Sequence, residues 1–148
     1  MDKVIYLDNA ATTQVYPEVL EEMLPYFSEI YSNPSAVYGF AAESKKAVDE
    51  ARSSVADLIN AKTEEIYFTG GGSESDNWAL KATADAYASK GKHIITSKIE
   101  HHAILHTCEY LEKKGFEVTY VNVDENGKVK LDELEAAIRP DTILISIM

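Results

Sequence analysis

The chain has only one cysteine, Cys108, among its 148 residues. A single cysteine excludes a disulfide within the chain, which is typical of proteins from a reducing compartment. No stretch approaches the roughly 18 uncharged apolar residues that a transmembrane helix requires, and residues 1–8 lack the apolar centre of a signal peptide. The sequence therefore predicts a cytoplasmic protein with no membrane partner.

Basic residues are also scarce, with 14 Lys and Arg against 25 Asp and Glu, and the formal net charge is −11. This excess of negative charge opposes binding to nucleic-acid phosphates, so no nucleic-acid partner is expected. An anionic ligand would need a local site with its own positive groups. The hydrophobic content of 45% is that of a globular chain with a core.

Glycines are few, seven in all, but three of them stand together at Gly70–Gly72 and are followed by Ser73. They separate an apolar segment, 66–68, from a helix pattern that contains Trp78. Ser73, with Asp76 three residues later, is predicted to cap that helix. The unpaired N–H groups and the positive end of the helix dipole then favour an anion such as phosphate.

The glycine turn is not diagnostic by itself. No Gly-Lys-Ser/Thr follows it, as a P-loop would require, and its three adjacent glycines do not match the spacing of the dinucleotide pattern. A flexible connection that binds nothing therefore stays open as an alternative.

From residue 65 onward, hydrophobic periodicity predicts strands and helices in alternation. Strands are predicted at 65–69, 93–97, 117–123 and 142–148, and helices at 17–28, 41–59, 75–89, 103–114 and 131–137. This order predicts an α/β fold with a mainly parallel sheet and helices on both faces. The last strand is an apolar run of the kind found at the centre of such sheets, so we expect the chain to be the N-terminal portion of a larger protein.

Several segments together have the look of one family. They are Leu7-Asp8-Asn9-Ala10-Ala11-Thr12-Thr13, Asn33-Pro34-Ser35, the turn from Thr69 to Asn77, and Glu100-His101-x-Ala103. In this order they resemble the motifs of the class V aminotransferase-like enzymes that use pyridoxal 5′-phosphate, and among these the cysteine desulfurases of the NifS and IscS type. The resemblance runs from residue 4 to residue 148.

The resemblance implies part of the large domain of the fold type I pyridoxal phosphate transferases. Residues 1–15 would be an N-terminal segment near the active-site entrance, and residues 16–148 the N-terminal part of the cofactor-binding α/β domain, truncated at a core strand. Gly72 and Ser73 would hold the cofactor phosphate, and His101 would stack on the pyridine ring and take part in proton transfer. The substrate would lie near Asn9, Ala10 and Ala11.

The activity implied is the conversion of L-cysteine to L-alanine, with the sulfur passed to an enzyme persulfide for iron–sulfur cluster or thio-cofactor synthesis. The lysine that binds the cofactor and the persulfide cysteine are expected after residue 148, so this chain alone is expected to be inactive. The implied partners are a second subunit in a homodimer and a sulfur-acceptor or iron–sulfur scaffold protein.

Other polar residues have plainer interpretations. Cys108 lies within an apolar helix pattern and is predicted to be a small core residue rather than a nucleophile. His102 and His106 are one helical turn apart, but the further ligands of a structural zinc site are missing, so no metal is expected. His101 could instead be a helix cap without a catalytic part.

Three functional alternatives stay open on the sequence. A selenocysteine lyase or another class V enzyme would share these motifs. A truncated, non-enzymatic binding or assembly module would keep the fold without the chemistry. An unrelated phosphate- or nucleotide-binding α/β domain would keep only the glycine turn.

Overall fold

A computed structural model describes residues 4–148, which form two compact units. The first extends to Tyr67 and the second runs Phe68–Met148. The first three residues of the predicted segment 1–15 lie outside the described residues. The helices of the first unit are α1 (Pro17–Met23), α2 (Pro25–Ser28) and α3 (Ala41–Ile59).

The one helix predicted over 17–28 is wrong, because α1 and α2 are separate helices on either side of Leu24. Pro25 causes the break, since it has no N–H to donate to the preceding turn. The prediction for α3 is confirmed at both ends. It stops at Asn60, which adopts a left-handed φ of 55°, a conformation that asparagine tolerates better than most residues.

The strand predicted at 65–69 is also wrong. A 3-10 turn occupies Thr63–Glu65, and Ile66 is extended with φ −98° and ψ 124°. Its carbonyl oxygen accepts a hydrogen bond from Arg52 Nε at 3.3 Å. An extended segment becomes a strand only when a neighbour pairs with its backbone, and no β-ladder forms here within residues 4–148.

The second unit is an α/β structure with a three-stranded parallel sheet in the order β2-β1-β3, which confirms the predicted fold class. Its strands are β1 (His93–Ser97), β2 (Glu117–Val121) and β3 (Thr142–Ser146). Its helices are α4 (Gly72–Tyr87), α5 (His102–Glu112) and α6 (Leu131–Ala137). The carboxyl ends of all three strands therefore meet at one edge of the sheet, where α/β proteins bind ligands.

The core of this unit lies where α4 and α5 pack on each other and on the sheet. It consists of Leu80, Ala84, Ile94, Ile104, Cys108 and Leu111. All five residues of β1 are buried. The expectation of a buried, central β3 is not met within the described residues, because β3 pairs with β1 alone and Ile145 is 41% exposed. No helix in this part of the chain combines the length and apolarity needed to cross a bilayer.

His93 crosslinks the three strands at the opposite edge of the sheet. Its side chain is fully buried, with Nδ1 2.8 Å from the Thr142 hydroxyl and Nε2 2.8 Å from the Thr119 hydroxyl. The two threonines belong to β3 and β2, so one imidazole joins both neighbours of β1. Nothing in the local sequence pattern pointed to this role.

We expect the protein to lose stability as the pH falls below about 6.5, the ordinary histidine pKa. Burial, assisted by the Arg139 guanidinium and opposed by the carboxylates of Asp141 and Glu117, lowers the pKa of His93 in the folded state. Between the two pKa values only the unfolded chain binds the proton, so the free energy of unfolding rises with pH there. The urea concentration at the unfolding midpoint should fall as the pH is lowered through this range. A His93→Gln variant whose midpoint depends on pH as steeply as that of the wild type would show that His93 is not the group responsible.

Candidate functional site

The glycine turn leads into α4 three residues earlier than predicted. The helix begins at Gly72, Gly71 is its N-cap residue, and Ser73 is its second residue. The prediction that Ser73 caps the helix is therefore wrong. A residue of the first helical turn stabilises the glycine turn instead, because Glu74 Oε2 accepts a hydrogen bond from Gly70 N–H at 2.6 Å. This leaves the Ser73 hydroxyl free of the capping role.

The first two residues of α4, Gly72 and Ser73, have backbone N–H groups without an acceptor among the described residues, whereas the next two N–H groups are bonded. The N–H groups of Glu74 and Ser75 donate to the Gly71 carbonyl at 3.1 and 3.2 Å. Among the described residues, none accepts a hydrogen bond from the N–H groups of Gly72 and Ser73. A Cβ placed on Gly71 or Gly72 would meet no atom within 4 Å, so the space beside the turn is open. Such donors at the positive end of a helix favour an anion.

His101 is the N-cap residue of α5, and its Nδ1 accepts a hydrogen bond from Ala103 N–H at 3.1 Å. His101 therefore does cap a helix, as one of its two interpretations from the sequence predicted. An accepting Nδ1 requires the neutral ring to carry its hydrogen on Nε2. The cap uses one nitrogen only, so Nε2 of this exposed side chain stays available for another contact, while the ring centroid lies 6.3 Å from that of His102.

Ser73 and His101 line the same cleft, which has a volume of about 380 Å³. Its other lining residues include Asn77, Lys81, His106 and Tyr110. In the described part of the chain no Asp or Glu lines this cleft, although the whole chain has a net charge of −11. Its charge therefore differs from that of the rest of the protein, and it suits an anionic ligand.

Asn77 joins the two helices that form the cleft. Its Nδ2 donates to the Ser73 carbonyl at 2.8 Å, and its Oδ1 accepts from the Thr107 hydroxyl at 2.9 Å. Thr107 is a buried residue of α5, so the first turn of α4 is held against the helix that His101 begins. Sequence reasoning assigned Asn77 no role, although it is the last residue of the glycine motif.

The prediction that Cys108 is a core residue is confirmed, because its side chain is fully buried. Burial, with smaller contributions from the charges of Glu112 and Glu100, raises the pKa of the Cys108 thiol to about 11. A thiol of this kind is a poor nucleophile at neutral pH, since the thiolate is the reactive form.

The rings of His102 and His106 stack with centroids 5.3 Å apart. In residues 4–148 there is no group of three or more His, Cys, Asp or Glu side chains that could hold a metal ion.

Asn9, Ala10 and Ala11 lie in the first unit, where they are exposed. They form a turn in which Ala11 N–H donates to the Asp8 carbonyl at 3.1 Å.

Comparison with known families identifies the class of protein to which this α/β structure and its cleft belong. The aminotransferase class-V model matches residues 5–148, and the chain belongs to this family. It is 57% identical over 148 residues to the cysteine desulfurase IscS of Clostridium botulinum strain Kyoto, and 59% identical over 147 residues to that of Methanosarcina thermophila. These alignments cover 100% and 99% of this chain.

Solved structures agree with this assignment. A NifS-like protein superposes with a TM-score of 0.92 at 45% identity over 95% of this chain. The structure described as SspA in complex with cysteine gives a TM-score of 0.90 at 44% identity over 96% of this chain. The chain spans 37% and 36% of the two desulfurases and 38% and 41% of the two solved chains.

Proposed function

We propose that this chain is the N-terminal part of a pyridoxal phosphate-dependent cysteine desulfurase, which converts L-cysteine to L-alanine and passes the sulfur to an enzyme persulfide. The family match and the desulfurase relatives above support the class of reaction. The observation that carries the proposal is that Ser73, whose N–H group has no acceptor among the described residues, and His101 line one cleft.

The residues present fit the cofactor. Two unpaired N–H groups at the start of the 16-residue α4, together with the Ser73 hydroxyl, match the acceptor oxygens of a phosphate. When bound, pyridoxal phosphate supplies an electron sink for bond breaking at the α-carbon of an amino acid. His101 would lie against the cofactor ring, and its Nε2, which the cap leaves available, would hold or pass a proton.

The remaining chemistry requires groups outside this chain in our proposal. The one cysteine here is buried and its thiol has a raised pKa, so it is unsuited to carry the persulfide. The cofactor-binding lysine and the persulfide cysteine would follow residue 148, and the chain alone would be inactive. Residues 1–15, with Asn9, Ala10 and Ala11, would lie near the substrate entrance of a cytoplasmic homodimer that delivers sulfur to an acceptor or scaffold protein.

Replacing Ser73 by alanine should weaken binding of pyridoxal phosphate roughly tenfold to a hundredfold, because one hydrogen bond to a charged group contributes roughly 1.5–3 kcal/mol. The measurement is titration of the natural gene product with pyridoxal phosphate and, separately, with pyridoxal, which has no phosphate. The loss should be confined to the phosphorylated form.

A matched control is Ser89→Ala, which makes the same change at an exposed position beyond the end of α4. It should bind both compounds as the wild type does. Equal affinity of the Ser73→Ala and wild-type proteins for pyridoxal phosphate would contradict the assignment of the phosphate site.

A further inference from the structure

A buried carboxylate lies directly before His101 and has no part in the chemistry above. Glu100 is only 7% exposed. Its Oε1 accepts two hydrogen bonds, from the Ser97 hydroxyl at 2.7 Å and from Met148 N–H at 2.8 Å. Ser97 is the last residue of β1, and Met148 lies two residues beyond the end of β3. One oxygen atom therefore joins the carboxyl ends of two neighbouring strands.

Burying a carboxylate is unfavourable unless donors satisfy it, and the two donors here lie at or just beyond the ends of two separate strands. The sheet itself has other links at this edge, since β1 and β3 pair through their backbones and the Thr96 hydroxyl donates to the Ser146 carbonyl at 2.9 Å. What Glu100 adds is an anchor for the loop that carries His101.

We propose that Glu100 is a positioning residue for His101, and that it holds the backbone of His101 in the cleft by tying the 98–100 loop to the ends of β1 and β3. Two sets of contacts then fix the position of His101. The hydrogen bonds of the Glu100 carboxylate hold its backbone, and the hydrogen bond from Ala103 N–H to Nδ1 holds its ring. This inference rests on the proposed function, in which His101 contacts the cofactor ring.

The test compares Glu100→Ala and Glu100→Gln in the product of the natural gene. Glutamine keeps an oxygen acceptor of the same reach, whereas alanine removes it. In the cofactor-free protein, Glu100→Ala should accelerate amide hydrogen exchange at Ala103 and Met148 about tenfold, and Glu100→Gln should stay within about threefold of wild type. The affinity for pyridoxal phosphate should likewise be lower in Glu100→Ala and close to that of the wild type in Glu100→Gln.

The control is Glu109→Ala, which removes an exposed carboxylate from α5 and should leave both readouts unchanged. Exchange at Ala103 and Met148 that is unaltered in Glu100→Ala would overturn the proposal. If that variant does not fold, Ser97→Ala, which removes one donor and no charge, decides in its place by the same measurement. A wild-type protein that binds no pyridoxal phosphate would refute the proposed function, while the exchange data would still decide the positioning role.

Discussion

In the product of the natural gene, replacing His101 by asparagine should leave the protein folded and, on the function proposed above, reduce turnover of L-cysteine by about 10²-fold or more, the contribution typical of a positioned acid–base group. Asparagine is among the best N-cap residues, so its side-chain oxygen can accept the Ala103 N–H bond that Nδ1 accepts now. Asparagine offers neither a ring to stack on the cofactor nor a ring nitrogen that can accept and return a proton.

The comparison with His101→Ala separates the two roles of this side chain. Alanine removes the cap as well as the ring, and loss of a cap costs about 1 kcal/mol. Urea unfolding should therefore show the alanine variant to be less stable than the asparagine variant, while both lose turnover. A His101→Asn enzyme within about twofold of wild-type turnover would leave His101 as a cap only and remove it from the reaction.

Replacing Gly91 by alanine should destabilise the protein by about 3 kcal/mol, the upper end of the usual cost of overpacking. A Cβ at this position would lie 2.1 Å from the Asp141 carbonyl oxygen and 2.7 Å from its carbonyl carbon and its Cα. All three are backbone atoms, so no side chain can move aside. The same carbonyl accepts a hydrogen bond from His93 N–H at 3.2 Å, so the shift would disturb the start of β1.

The matched control is Gly72→Ala, since a Cβ there meets nothing within 4 Å and no left-handed φ is required. Its free energy of unfolding should stay within about 1 kcal/mol of wild type or rise, because alanine restricts the unfolded chain. Urea denaturation of the two variants provides the measurement. A Gly91→Ala protein as stable as Gly72→Ala would show that the approach of Asp141 to residue 91 is not a tight constraint.

The parts of the fold that were predicted correctly depend on short-range patterns. The bounds of α3, α6 and β1 match the predictions at both ends, because a helical or strand periodicity is complete within each segment. The parallel sheet followed from the alternation of these elements. The strand at 65–69 was wrong because pairing requires a neighbour, which the apolar residues of the segment do not specify.

The same distinction between local patterns and long-range contacts applies to the candidate site. The glycine turn and the His101 motif were visible as motifs, and the structure brings Ser73 and His101 to one cleft. The capping role of Ser73 was not correct, since Glu74 competes for the same turn from inside the helix. Sequence patterns indicate which residues are able to cap a helix, but only the residue that directly precedes the first helical turn acts as the cap, and that boundary is predicted poorly.

By itself, the sequence determined the bounds of α3, α6 and β1, the α/β class and the family resemblance, since each depends on patterns of contiguous residues. Only the tertiary structure decided the partners of the buried polar groups. His93 bonds Thr119 and Thr142, and Glu100 bonds Met148, at separations of 26, 49 and 48 residues. A buried polar side chain must find a partner, but the folded path of the chain selects which one it finds.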